Sequence, residues 1–368
     1  MRDLKEVLKN IPQTLEAFYR DHMESIKRGI RNYFPHRIDR PFYERISGQV
    51  EVFDQDTNEL YNSIFLPTQQ YLDRGGKLLR PVLAALTLES YGCDPSEYES
   101  FLGAIEVMED SSIIMDDYID NSYLRRGGKC AHILHGYPIA NISSCTAFAI
   151  SHYLFNNNEL NLPIEKATRL LNAFAWEHIQ MAFGQIEELY WTESNINRVT
   201  VEQYLQETIA RCAFLSFRGP LRYAGIIADA PEEDIPVLER IGEYLLIGYH
   251  IKGDNLDMAP DSNAWGKIAG EDITTGRRTL LINYLLQNAN REDRELLEEI
   301  LNSRTKDEEK KKEVYDLVLK YKAFQYTRNL AEKYHELTKI EIDRLHIPDK
   351  YKTLFYEFSE FASMKRAV

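Results

Sequence analysis

An all-α fold is predicted by three observations. Apolar residues recur at 3.6-residue spacing, Gly and Pro fall mostly between such segments, and alternating strand patterns are hard to find. The run PVLAALTLESYG from Pro81 reads as a helix with proline early, where its missing N–H costs least. Residues 102–120 form a second, strongly apolar helix with carboxylates at its C-terminal end, and 166–193, 201–215 and 236–257 continue the pattern. Pro138, Pro163, Pro220, Pro231, Pro260 and Pro348 punctuate the segments. A series of long helices with short connections predicts one large bundle over residues 61–368, with 1–60 as a less apolar helical extension packed on it. The mixed-charge run RTKDEEKKKEV (304–314) reads as a solvated helix or loop.

Composition narrows the function classes. Of 368 residues, 44% are hydrophobic, enough for a large core. The 44 Lys and Arg against 58 Asp and Glu leave a net charge of −14, which argues against nucleic acid and against a polybasic membrane surface. An acidic protein that binds an anion needs a local basic cluster or metal ions. Cys93, Cys130, Cys145 and Cys212 show no CxxC pairing, so zinc or disulfides are not expected and a reducing cytoplasm is. The start, MRDLKEVLKN, lacks a signal-peptide core, and no stretch approaches the ~18 apolar residues of a spanning helix.

The segment IEVMEDSSIIMDDYIDNSYLRRGG is the most informative. Asp116, Asp117 and Asp120 stand at i, i+1 and i+4, so Asp116 and Asp120 share a helical face. Carboxylates clustered at the end of an apolar helix repel one another unless cations lie between them. Mg²⁺ suits such a place, because it takes one or two carboxylates and fills its shell with water and phosphate oxygens. An ordinary acidic helix end fits the motif alone. Upstream lies GGKLLRP (75–81), with Lys77 and Arg80, and just after the acids come Arg125 and Arg126. Far downstream are GDNLD (253–257), a second carboxylate pair, and GKIAGEDITTGRRTL (266–280). Two acidic helix ends flanked by basic residues can cage a metal-complexed pyrophosphate.

With these motifs in order, and with GQxxE at 184–188, the sequence resembles the trans-isoprenyl diphosphate synthases, the polyprenyl synthetase family, over about residues 60–366. The resemblance implies an all-α prenyltransferase fold around a deep central cavity, usually a homodimer. It implies three Mg²⁺ ions that draw diphosphate off an allylic substrate, and isopentenyl diphosphate as the attacking alkene. Carried over residue by residue, Asp116 and Asp120 become ligands of two ions with Asp117 beside them, and Asp254 and Asp257 serve the third. Arg125 would meet the allylic diphosphate and Gln185 would support the metal-bound cluster. Lys77, Arg80 and Arg126 would bind isopentenyl diphosphate.

Four departures bear on that reading. The second acidic motif begins with Gly253 in place of a carboxylate, leaving Asp254, Asp257 or Asp261 to substitute. The aromatic-Gln pair before it is Tyr249-His250. The Lys-Thr pair of the central helix is Arg211-Cys212, and a later diphosphate-binding Lys is Arg277. Arginine keeps the charge but replaces a compact ammonium with a planar fork. Finally, Glu109 stands where the family has His or Gln, seven residues before Asp116. A carboxylate beside a diphosphate is repulsive, so Glu109 pairs with Lys77, Arg80 or Arg126, is protonated, or excludes isopentenyl diphosphate. The last possibility points to a class I terpene synthase acting on one allylic diphosphate. A non-catalytic regulatory subunit is a third reading, disfavoured by the intact first motif.

Ser111 and Ser112, one turn before Asp116, are small where bulky aromatics would stop chain growth, and Met108 lies a turn deeper. A product of C20 or longer is expected; small residues that only permit close helix packing are the simpler reading. His132 and His135 lack a third ligand nearby and read as core or surface residues.

Overall fold

The computed structural model describes residues 11–36, 40–47, 59, 61–156, 160–258 and 270–365. The chain is all-α, as predicted. In order the helices are α1 (Gln13–Tyr33), α2 (Arg40–Ser47), α3 (Leu66–Arg74), α4 (Leu79–Ser90), α5 (Glu99–Ile119), α6 (Ala131–His135), α7 (Tyr137–Asn156), α8 (Ile164–Glu193) and α9 (Val201–Ser216). Then come α10 (Arg218–Ile227), α11 (Ile235–Asp257), α12 (Glu271–Thr275), α13 (Leu280–Asn288), α14 (Arg291–Ser303), α15 (Glu308–Lys320), α16 (Ala323–Arg344) and α17 (Asp349–Ser359). Among the described residues the only sheet is a two-stranded hairpin, β1 (Leu124–Arg125) and β2 (Gly128–Lys129). Asp261, a candidate of the second acidic motif, and the start of GKIAGEDITTGRRTL lie outside the described residues.

The residues fall into two compact units. The first comprises those up to 174 with 220–235 and 347–354, and the second comprises 175–219, 236–346 and 355 onward. In the first unit α5 is flanked by α1 and α7. Gly29 of α1 and Gly103 of α5 touch backbone to backbone. A Cβ on Gly29 would lie 1.9 Å from the Glu99 carbonyl oxygen, so neither position accepts a side chain. Arg28 and Ser25 fasten the same face by bonding the Glu99 carboxylate at 2.6 and 2.7 Å. Serines take the opposite face of α5: the Ser144 hydroxyl of α7 donates to the Ser111 carbonyl at 2.6 Å.

In the second unit α9 opens with a reciprocal Thr200–Gln203 capping box, worth about 1 kcal/mol to its start. Trp191, Tyr204, Ile247, Ile251 and Leu280 form one buried cluster, and Ile273, Leu281, Leu285, Leu297, Leu301 and Val318 form a second. Each fully buried aliphatic or aromatic side chain there contributes roughly 1.5–3 kcal/mol. Among the described residues no helix is long and apolar enough to cross a membrane.

Candidate functional site

The first acidic motif closes α5, where the helix dipole already places partial negative charge, so its carboxylates need cations. Arg125 answers this need. It follows the helix on β1, and its guanidinium grips Asp117 through Nε and Nη2, with Asp116 Oδ2 at 3.8 Å. Asp117 is fully buried, and its second oxygen accepts a 2.8 Å bond from the Tyr71 hydroxyl. Tyr71 also accepts from the Ala131 amide at 3.1 Å, tying α3, the acidic helix end and the start of α6 together. Burial opposes the charge of Arg125, but Asp117 outweighs it and holds the guanidinium firmly protonated. Both Asp117 oxygens accept bonds from protein donors, one from Arg125 and one from Tyr71, so Asp117 anchors Arg125 at the end of α5. Asp116 and Asp120, one turn apart, remain partly exposed on their shared face.

The hairpin explains how LRRGGK presents its cations. Arg125 pairs with Gly128 across it, leaving Arg126 and Gly127 as a two-residue turn with φ of 51° and 77°. Positive φ at both positions is the geometry of a type I′ turn, which glycine adopts without cost. Arg74 of α3 clamps the hairpin from one side, donating to the Arg125 and Lys129 carbonyls at 3.1 and 2.7 Å. The turn sends Arg126 back to α5, where it makes a two-pronged contact with buried Asp110 at 2.7 and 3.1 Å. Arg80 of α4 lies 2.5 Å from Glu109 Oε1. Of the possibilities for Glu109, ion pairing with Arg80 is the one observed. Burial nevertheless pushes the Glu109 carboxyl up, against the pull of Arg80. Glu106, one turn earlier, is raised to about 8 by burial and by Asp110. Lys77 lies partly exposed on the loop before α4, beside Gly76, whose backbone rests on Arg126.

The second unit holds its own cluster, around a cavity lined by Glu188, Glu207, Arg211, His250, Asp254 and Arg277, among others. Gly184 brings α8 against the backbone of α9, since a Cβ there would lie 2.5 Å from the Arg211 nitrogen. The neighbouring Gln185 carries a buried side-chain nitrogen with no hydrogen-bond partner. Arg211 is gripped by Glu207, and Arg277 Nε donates to Glu188 at 3.3 Å. Asp254 is largely satisfied: its Oδ2 accepts from the Tyr204 hydroxyl at 2.6 Å, and His250 Nδ1 lies 3.8 Å from Oδ1. Asp257, the last residue of α11, receives the Asp272 amide at 3.3 Å. Two departures from the family pattern meet here, with Cys212 Sγ and His250 Nε2 at 3.2 Å. Burial works against a charged His250, but Cys212 and Asp254 prevail and lift it to about 10. Among the described residues no three His, Cys, Asp or Glu side chains already converge on a metal-sized point.

Sequence reasoning missed Tyr71, Arg74, Asp110, Tyr204 and Asp272 as members of these clusters. Only Asp272, inside GEDITTGRRTL, carried a motif signal.

The sequence profile of the polyprenyl synthetase family matches residues 62–318. The chain belongs to the polyprenyl synthetase family. With the family comes the enzyme class, a trans-prenyltransferase of the isoprenyl diphosphate synthase type. A short chain isoprenyl diphosphate synthase of Methanothermobacter thermautotrophicus is 27% identical over 78% of this chain and 86% of its own length. A geranylgeranyl diphosphate synthase of Sulfolobus acidocaldarius is 26% identical over 83% of this chain and 98% of its own. The fold is that of a geranylgeranyl pyrophosphate synthase from Corynebacterium glutamicum, solved with isoprenyl diphosphate and magnesium. That structure covers 95% of this chain and 99% of its own, at a TM-score of 0.78 and 17% identity.

Proposed function

We propose that this prenyltransferase joins an allylic prenyl diphosphate to isopentenyl diphosphate, giving a longer trans-polyprenyl diphosphate of C20 or more. The observation that carries the reading is the division of labour at the end of α5. Asp117 is spent internally on Tyr71 and Arg125, while Asp116 and Asp120 stay on a partly exposed shared face. That donor set fits Mg²⁺, which needs only one or two carboxylates from protein and takes the rest from water and substrate phosphate. The Corynebacterium relative was solved with magnesium, in keeping with this choice. In the second unit Asp257, with Asp254, is a second acidic pair that could hold Mg²⁺.

When bound, Mg²⁺ supplies positive charge to the departing diphosphate. The chain's own residues do the rest. In the first unit Arg125, pre-oriented by Asp117, stabilises charge on a departing diphosphate. In the second unit Arg211 and Arg277, each pre-oriented by a carboxylate, are diphosphate-binding cations, and the unpartnered Gln185 amide beside them is a spare donor. Lys77, Arg80 and Arg126 hold the isopentenyl diphosphate. The alkene attacks the allylic carbon, the carbon–oxygen bond to diphosphate breaks, and the proton released from the new chain passes to the departing pyrophosphate. The test is incubation with Mg²⁺ and geranyl, farnesyl or geranylgeranyl diphosphate, each with and without isopentenyl diphosphate. A longer diphosphate formed only with isopentenyl diphosphate supports the reading. A hydrocarbon or alcohol formed from one allylic substrate alone replaces it with a terpene synthase.

Chain length follows from α5. Ser112 is buried one turn before Asp116, with no hydrogen-bond partner for its hydroxyl. Ser112→Phe is expected to shorten the main product by one or two five-carbon units, read by mass spectrometry of the dephosphorylated alcohols. An unchanged product distribution would remove Ser112 from the wall of the growing chain.

A homodimer is part of the proposal. Trp176, Ile179, Phe183, Ile186 and Tyr190 are 47–67% exposed and recur at three- and four-residue spacing down one face of α8. A continuous stripe of this kind marks an interaction surface. Phe183→Glu is expected to shift the protein from dimer to monomer in sedimentation at micromolar concentration, and a dimer that persists would place the interface elsewhere.

A further inference from the structure

Two of the cations read above as the grip on the acceptor's diphosphate are already occupied by this chain's own carboxylates. Arg80 is paired with Glu109 at 2.5 Å, and Arg126 is held by both oxygens of Asp110. These are not surface pairs that a ligand could brush aside. Asp110 is fully buried and Glu109 is 6% exposed, and both project from α5, the helix that α1 and α7 enclose. Glu106 adds a third buried acid one turn away, a carboxyl whose Oε2 is unpartnered. Three acids therefore face two guanidiniums, with Lys77 on the loop beside them.

A diphosphate entering this place meets two penalties. Each arginine must leave or share a bidentate or short contact that is strong because it is desolvated and charge-assisted. The carboxylates cannot withdraw, because a rigid helix carries them, so they stay within a few ångströms of the incoming phosphate oxygens and repel them. We infer that Glu109 and Asp110 are specificity-determining residues of the acceptor site, acting as internal counter-anions that disfavour a diphosphate-bearing acceptor. The inference rests on the reading of Lys77, Arg80 and Arg126 as the acceptor's diphosphate site. It predicts selective weakness toward isopentenyl diphosphate, with the allylic substrate at Asp116, Asp120 and Arg125 untouched. Burial first, and Asp110 after it, raise the carboxyls of Glu106 and Glu109, as expected of acids held away from water.

The test compares the full-length protein with Glu109→Gln, Glu109→His and Asp110→Asn. Isopentenyl diphosphate binding is measured by calorimetry without allylic substrate, and KM is measured for each substrate separately. Removing one of two buried like charges is expected to tighten isopentenyl diphosphate binding by about tenfold or more. The KM for the allylic diphosphate is expected to stay within about twofold. A purely structural role for these acids would lower thermal stability and weaken both substrates together. Inorganic pyrophosphate is expected to raise the melting temperature of the variants more than that of the wild type, since it can replace the missing carboxylate. Folded variants that bind isopentenyl diphosphate no tighter than the wild type overturn the inference, as does the absence of binding to any of them at millimolar concentration. Failure of the proposed reaction looks different. No elongated product then forms with any variant, while the calorimetric difference between wild type and variants still decides the role of the two acids.

Discussion

Asp117→Asn is expected to destabilise the protein by roughly 3–5 kcal/mol, the cost of removing one member of a buried ion pair. The carboxylate has no exposed surface, both of its oxygens accept bonds, and its main partner, Arg125, is itself largely buried. Asparagine keeps the shape but leaves the guanidinium without its counter-charge, and the Tyr71 hydroxyl with a weaker acceptor. With an unfolding entropy of about 2.1 cal/mol/K per residue over 368 residues, each kcal/mol is worth about 1.3 °C, so the melting temperature should fall by roughly 4–7 °C. Calorimetry or circular dichroism reads this directly. Asp116→Asn provides the contrast, because its side chain is 33% exposed and its distance to Arg125 is 3.8 Å. It should move stability by less than about 1 kcal/mol. A double variant that replaces Asp117 and Arg125 together by leucine and methionine should recover part of the loss, since an apolar pair carries no unpaired charge. If Asp117→Asn melts within a degree or two of the wild type, the anchor described here is not holding the end of α5.

Much of the fold could be read from spacing alone, because helices announce themselves through local periodicity. The segment expected at residues 166–193 is α8, Ile164–Glu193, and that expected at 236–257 is α11, Ile235–Asp257. The hairpin at Leu124–Lys129 was not legible, because strands of two residues contain no alternation to detect. The pairing of Arg125 with Gly128 and the positive φ of Arg126 and Gly127 define it, and these are properties of the folded backbone. The candidate site divides in the same way. The face shared by Asp116 and Asp120 follows from helical geometry, and their motif is local. Partners distant in sequence do not follow: Asp110 is matched by Arg126 through the hairpin, Asp117 by Tyr71 from α3, and Asp254 by Tyr204 from α9. The helix at residues 102–120 read as apolar with acids at its end. Yet Glu106, Glu109 and Asp110 are buried in its middle, where cations from elsewhere in the chain make acidic side chains tolerable. The contact between Cys212 and His250 shows two substitutions, each odd on its own, to be neighbours.

Asp116→Asn and Asp120→Asn carry the opposite expectation to Asp117→Asn, with catalysis lost and the fold retained. Each is expected to lower kcat by about 10²–10³-fold, the range seen when one preorganised group that stabilises transition-state charge is removed. The carboxylates differ in what they already bind. Asp117 is saturated by Tyr71 and Arg125, whereas Asp116 and Asp120 end one face of α5 in partly exposed positions, at a helix end whose dipole repels added negative charge. A cation bound there relieves that repulsion, so the wild type should be stabilised by Mg²⁺ and inactivated by a chelator. Neutralising one carboxylate removes both the repulsion and the ligand. The variants should therefore show a smaller rise in melting temperature on adding Mg²⁺, and they should need a higher Mg²⁺ concentration for half-maximal activity. The melting readout is independent of turnover, which separates loss of the metal from any other cause of inactivity. Full activity in Asp120→Asn with an unchanged Mg²⁺ requirement would mean that the exposed face of α5 is not where the donor diphosphate is held. Loss of activity with an undiminished Mg²⁺ stabilisation would instead place the metal on Asp257 and its neighbours, and leave Asp116 and Asp120 to act on the substrate directly.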